Sequence, residues 1–170
     1  MKKYLVLFLF PSLAFAILEW TTVKLDDRVS VQFPSAPTSS ESGGNPMWIA
    51  DIDTNSRCMA LLVDLGKMGL DSATFTPMLE QDAFYEQFKT STINSIGDIK
   101  FVEERKFKIG GRYAYELVLE KETPDTRFNY KRVYIRSHFV GTKIYSLSFF
   151  QKKPADDQRQ KFFESLQVRY

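Results

Sequence analysis

A single histidine, His138, and a single cysteine, Cys58, set the limits of the chemistry open to this chain of 170 residues. A Ser-His-Asp site would need His138 as its base beside an activated hydroxyl. No G-x-S-x-G turn occurs, and the neighbouring Ser137 falls on the opposite face of a strand. Cys58 lies in the apolar run CMALLV, which reads as a buried strand with the thiol acting as a small hydrophobe. A hydrolase built on either residue would require a carboxylate or hydroxyl within hydrogen-bond reach in a cleft. The same two counts exclude zinc sites of the histidine-rich or thiolate type. Asp51-x-Asp53-x-Asn55 imitates the start of a calcium loop, but Ser56 stands where the glycine belongs and Leu62 where the bidentate glutamate belongs. Gly43-Gly44 and Gly110-Gly111 lack the third glycine or the Lys-Ser/Thr of a phosphate loop. The reading is of a non-enzyme, with no catalytic residue, metal site or cofactor.

What remains is binding. Tyr130, Arg132, Tyr134, Arg136 and His138 alternate along one strand and so share a face. Arg132 is expected opposite Glu116, with Glu120 near it, in a solvated charge ladder. That leaves Tyr130, Tyr134 and Arg136 as an outward row of the types enriched at protein-binding hot spots, and these three are the candidate binding residues. A second candidate is the stretch Pro34 to Pro46 (PSAPTSSESGGNP), whose three prolines, two glycines and four serines read as a mobile surface loop of functional length. The alternative function is a small apolar-ligand carrier. Its cleft would lie between helix and sheet, with Phe75, Phe84, Tyr85 and Phe88 facing Tyr145 and Phe149.

These residues sit in a chain that is 44% hydrophobic, 26% charged and 15% aromatic, a composition that excludes disorder and polytopic membrane architecture. The start carries an address: Lys2-Lys3, the apolar run Tyr4 to Phe10, and small residues in Ala14-Phe15-Ala16. Residues 1–16 read as a cleaved secretory signal, since Pro11 and Glu19 interrupt any span of about 20 apolar residues. No cysteine follows the run, so a lipoprotein anchor is excluded. Cleavage removes two lysines and leaves 21 basic against 21 acidic residues. The mature chain is formally neutral, which gives no support to a nucleic-acid partner. Residues 17–170 form one domain, periplasmic or extracellular, with no membrane span after cleavage.

The elements that must position these groups are strand-rich. Trp20 to Leu25 and Arg28 to Phe33 predict a hairpin around Asp26-Asp27; Met47 to Asp53 and Arg57 to Leu65 predict another around Thr54-Asn55-Ser56. A helical stripe of Met78, Phe84, Tyr85 and Phe88 predicts one helix over Thr76 to Thr90, with Leu79 off the stripe. Four strands follow as a meander: Lys100 to Ile109, Arg112 to Lys121, Arg127 to Val140 and Thr142 to Gln151. A three-residue loop, Gly110 to Arg112, would put Phe107 and Ile109 on the face of Tyr113, Tyr115 and Leu117. A loop of Glu122 to Thr126, containing Pro124-Asp125, would place Glu116 opposite Arg132 and Tyr115 opposite Val133. A second helix opens near Pro154, with Asp156 and Asp157 in its first turn and Phe162, Phe163 and Leu166 on its apolar side. The fold class is α+β: an antiparallel sheet ending in a four-stranded meander and covered by two helices.

With that order of elements, the segments Arg28-Val-Ser-Val-Gln-Phe-Pro34, Ile109-Gly-Gly-Arg-Tyr-Ala-Tyr-Glu116, Tyr145-Ser-Leu-Ser-Phe149 and Phe162-Phe-Glu-Ser-Leu166 resemble the Mog1/PsbP-like family. The resemblance implies an α/β sandwich with a twisted antiparallel sheet between helices. It also implies a non-catalytic accessory or binding protein acting on another protein or envelope complex, and it carries no active site to transfer.

Overall fold

The computed structural model describes residues 20–122 and 129–169; the signal segment expected at 1–16 and the turn expected at Pro124-Asp125 lie outside them. A three-stranded sheet is built from β1 (Thr21–Lys24), β2 (Val29–Phe33) and the short closing strand β10 (Gln167–Val168), with β2 in the middle. A seven-stranded antiparallel sheet contains β3 (Thr38–Ser42), β4 (Asn45–Asp51), β5 (Ser56–Asp64), β6 (Lys100–Ile109), β7 (Arg112–Glu120), β8 (Arg132–Val140) and β9 (Lys143–Gln151). Its spatial order is β3-β4-β5-β9-β8-β7-β6, so the last strand of the meander is slotted beside the second N-terminal hairpin. The helices are α1 (Ser72–Met78), α2 (Asp82–Ile96) and α3 (Asp156–Glu164).

The alternation of side chains splits the core across the large sheet. One face carries Cys58, Ala60, Leu62, Tyr145, Leu147 and Phe149, and is covered by β2 and by Phe162 and Phe163 of α3. The other carries Tyr115, Leu117, Leu119, Val133, Ile135 and Ile144, and is covered by Phe75 and Leu79 around α1 and by Tyr85 of α2. A polar latch ties the two sheets together. Asp26 accepts from the backbone N–H groups of Arg28 and Val29, from Lys143 Nζ at 2.8 Å and from the Tyr145 hydroxyl at 2.5 Å. These bonds hold its carboxyl well below the usual aspartate range despite burial.

Four sequence expectations are corrected. The stretch Pro34 to Pro46 is not a structureless loop: Thr38–Ser42 and the start of β4 form an edge hairpin through Gly43-Gly44. Both glycines have positive φ (58° and 76°), the backbone of a tight two-residue hairpin turn. Pro46 is tolerated because β4 begins pairing with β5 only at Met47, so its missing N–H costs no bond there.

The single helix over Thr76 to Thr90 is two helices. Asp71 caps α1 by accepting from Thr74 N at 2.7 Å, and Pro77, which has no N–H, brings α1 to its end one residue later. Leu79 lies off the stripe because it sits in the bend, where its carbonyl accepts from the Tyr85 hydroxyl at 2.8 Å.

Gly110-Gly111 makes a two-residue turn, not a three-residue loop. Ile109 pairs with Arg112, and the glycines have φ of 55° and 79°. Phe107 and Ile109 therefore share the face of Arg112 and Glu116. Apolar parity misleads here because β6 is an edge strand whose charged residues can cover aromatics with their stems. Lys106 Nζ lies 4.7 Å from the Tyr85 ring centre, and Lys108 Nζ 4.1 Å from that of Tyr113.

The fourth correction is the register of β7 on β8, which is shifted by four residues. Glu120 faces Arg132, Glu116 faces Arg136 and Tyr115 faces Ser137. The expected register would have set Arg136 against Arg112. The observed one gives each arginine a carboxylate, and an even shift leaves every side chain on its face.

Candidate functional site

Arg136 and Tyr134 are not an outward row. Tyr134 is 9% exposed and Phe163 of α3 covers the sheet beside it. The Arg136 guanidinium carbon lies 4.6 Å from the Phe163 ring centre, while its Nε donates to Glu116 at 2.7 Å. Tyr130 is on the other side of the sheet, its ring centre 5.5 Å from that of Phe150. Alternation does not reach it because β8 starts two residues later, at Arg132. The three candidates are thus divided between the two faces.

Tyr134 and Arg136 do, however, line a groove of about 550 Å³ between α3 and the β6-β7-β8 end of the sheet. Four arginines and four carboxylates line it. Glu116 bridges Arg136 and Arg105, the latter at 3.6 Å. Arg132 donates to Glu120 at 2.7 Å, which holds that carboxyl below its ordinary range and raises the guanidinium. Arg159 pairs with Asp156 at 3.1 Å and stacks over Tyr134, its guanidinium carbon 3.9 Å from the ring centre. Sequence reasoning missed Arg105 and Arg159. Their signal was present only as charges on β6 and α3, and the crossing of α3 over the sheet is what brings them together.

β6 continues this surface as one of the two edges of the large sheet. It is ten residues long, and Phe101, Val102 and Ile109 are exposed along it. A bulge between Phe101 and Glu103 and the charges of Lys100, Glu103, Glu104, Arg105, Lys106 and Lys108 interrupt it. Such features guard an edge against indiscriminate pairing.

The residues with chemical potential are dispersed. His138 is 4% exposed, its Nε2 has no hydrogen-bond partner, and burial beside Arg136 and Arg112 pushes its pKa down to about 4. Ser137 points to the opposite face and shares a 2.8 Å hydrogen bond with Ser146. Cys58 is fully buried on β5, where desolvation raises the thiol far above its ordinary pKa. Asp51 is held by Arg57 at 2.6 Å, and Asp53 accepts from Asn55 N at 2.6 Å in a strand-end turn. No group of three potential metal-ligating side chains is assembled among the described residues. The aromatic cleft expected for an apolar ligand does not form. Phe75, Phe84, Tyr85 and Phe88 pack on one another and on Phe139 at centre distances of 5.3 to 6.2 Å, and Tyr145 and Phe149 belong to the other face.

No known family profile matches the sequence, and no curated protein matches it. Solved structures do. The solution structure of cyanobacterial PsbP (CyanoP) from Synechocystis sp. PCC 6803 superposes with a TM-score of 0.57 at 13% identity, over 91% of this chain and 95% of that one. The fold is Mog1/PsbP-like. The Ran-binding protein Mog1p of Saccharomyces cerevisiae shares it at a TM-score of 0.50 and 8% identity, over 89% of this chain and 96% of its own. At these identities the likeness of the PsbP-like domain to its neighbours is one of architecture, and the site must be argued from its own side chains. No helix among the described residues is long and apolar enough to cross a membrane.

Proposed function

We propose that this chain is an exported, non-catalytic accessory domain that binds another protein in the periplasm or outside the cell, through the groove between α3 and the β6-β7-β8 surface. One observation carries the reading. Four arginines and four carboxylates gather in an open groove beside a free strand edge, and Arg105 and Arg136 pair there with Glu116 and Arg159 with Asp156. Paired charges of both signs set register and orientation for a protein partner. The exposed apolar residues of β6 add a place for contact area or for an added strand. The yeast neighbour, described as a Ran-binding protein, is a case of protein binding on this architecture.

Tyr134 and Arg136 are poor test positions because their removal would disturb the packing under α3. The rim residues Val102 and Arg105 are the ones to change. Capture of envelope proteins by the tagged mature chain, read by mass spectrometry, should recover a reproducible partner. Val102→Asp with Arg105→Glu should reduce that capture at least tenfold while the melting temperature moves by no more than about 3 °C. Undiminished capture would remove the groove as the site. The intact mass of the exported protein should begin at Ile17; a chain retaining residues 1–16 in the membrane fraction would overturn the address.

A further inference from the structure

The helix-covered face of the large sheet holds a second cavity, of about 260 Å³, between the last two turns of α2 and strands β5, β8 and β9. Its walls are apolar, with Met59, Val63, Phe88, Ile135, Ile144 and Phe150 prominent, and no ionisable side chain lines it. It shares Phe88 with the packed aromatic cluster, the rest of which fills the space toward α1.

Three serines interrupt the otherwise apolar sheet face here. Ser137 and Ser146 satisfy each other. Ser148 borders the cavity, is 3% exposed, and makes no hydrogen bond through its hydroxyl with any described residue. On the helix side Thr92 and Ser95 donate their hydroxyls to the carbonyls of Phe88 and Thr92 at 2.8 Å, and Ser91 also lines the cavity. The Ser148 oxygen is not among the described side-chain atoms that are both shut off from solvent and unpartnered, which are His138 Nε2 and Gln151 Oε1, so it opens onto the cavity, where the polar group of a ligand meets it.

We infer that this cavity is a binding site for a small, neutral, mainly hydrocarbon molecule whose one polar group hydrogen-bonds to Ser148. The lack of charge in the lining excludes ionised head groups. A cavity of about 150 Å³ takes benzene, so this one holds roughly ten carbon atoms. The ligand is a fused bicyclic ring or a short chain carrying a hydroxyl or carbonyl.

Titration of the purified mature protein with 1-naphthol, naphthalene and 1-naphthoate, followed by amide chemical shifts, tests the assignment. 1-Naphthol should bind saturably and shift the amides of Ile144 and Ser148, while 1-naphthoate should bind at least tenfold more weakly. Ser148→Ala should weaken 1-naphthol about three- to tenfold and leave naphthalene unchanged. Val63→Trp and Leu61→Trp, made separately at the half-buried cavity margin, fill the space from two sides; whichever retains the native melting transition should abolish binding of both. Absence of saturable 1-naphthol binding, equal binding of naphthoate, or binding indifferent to Ser148→Ala and to the filling variants would overturn the site.

Discussion

At the scale of single residues, two groups that looked reactive are held inert by burial, and each yields a measurable consequence. Cys58 has no accessible surface, so Cys58→Ala should cost only about 1 kcal/mol, the cost of a modest cavity, in urea unfolding. The native thiol should resist labelling until the protein unfolds. His138 is the stronger probe. Its pKa is about 4 in the folded protein against an ordinary 6.5, so between those values the unfolded chain binds more protons and stability falls as pH falls. The loss is complete near pH 4 and amounts to about 3 kcal/mol at most. Above pH 6.5 it contributes no slope. Unfolding free energies at pH 7 and pH 4.5 should therefore differ by about 2 kcal/mol more in the native protein than in His138→Gln. Asp26 does not confuse the measurement, because its depressed carboxyl loses its stabilising bonds only below the usual aspartate range.

At the scale of elements, turns decide the outcome. Gly111 has φ of 79° with open space where a Cβ would stand, so Gly111→Ala introduces backbone strain alone and should cost about 1 to 2 kcal/mol by thermal unfolding. The four meander strands and the closing helix were legible in the sequence because alternation and turn residues agree there. The register was not. At Gly110-Gly111 the apolar parity of Phe107 and Ile109 pointed the wrong way, since an edge strand can turn lysine stems inward. At β7-β8 several even shifts satisfy the same alternation, and only the charge pairs Glu116 with Arg136 and Glu120 with Arg132 choose among them. The edge hairpin from Thr38 escaped because serine and threonine on an exposed strand have the composition of a loop. The candidate site was legible in part: Tyr134 and Arg136 do line the groove, but their cover by α3 depends on packing that no local pattern encodes.

At the scale of the whole molecule, one sheet serves two cores, so the two faces should melt together. Phe75 is fully buried on the helix side, and Phe75→Ala should cost about 3 to 5 kcal/mol. Its effect should be read equally by the fluorescence of Trp20 and Trp48, which pack against the opposite core, in a single coincident transition. Separate transitions on the two faces would show that the sheet does not couple them. The small sheet has a further consequence for engineering. β1 and β10 lie on either side of β2, with Thr21 opposite Phe33 and Val168 opposite Val29. Two strand spacings across and four residues along place Thr21 and Val168 roughly 16 Å apart. A flexible bridge of about six residues could close the polypeptide into a ring. Reopened at the exposed Gly43-Gly44 turn, the same molecule would present new ends at the far edge of the large sheet, leaving the α3 groove free for display.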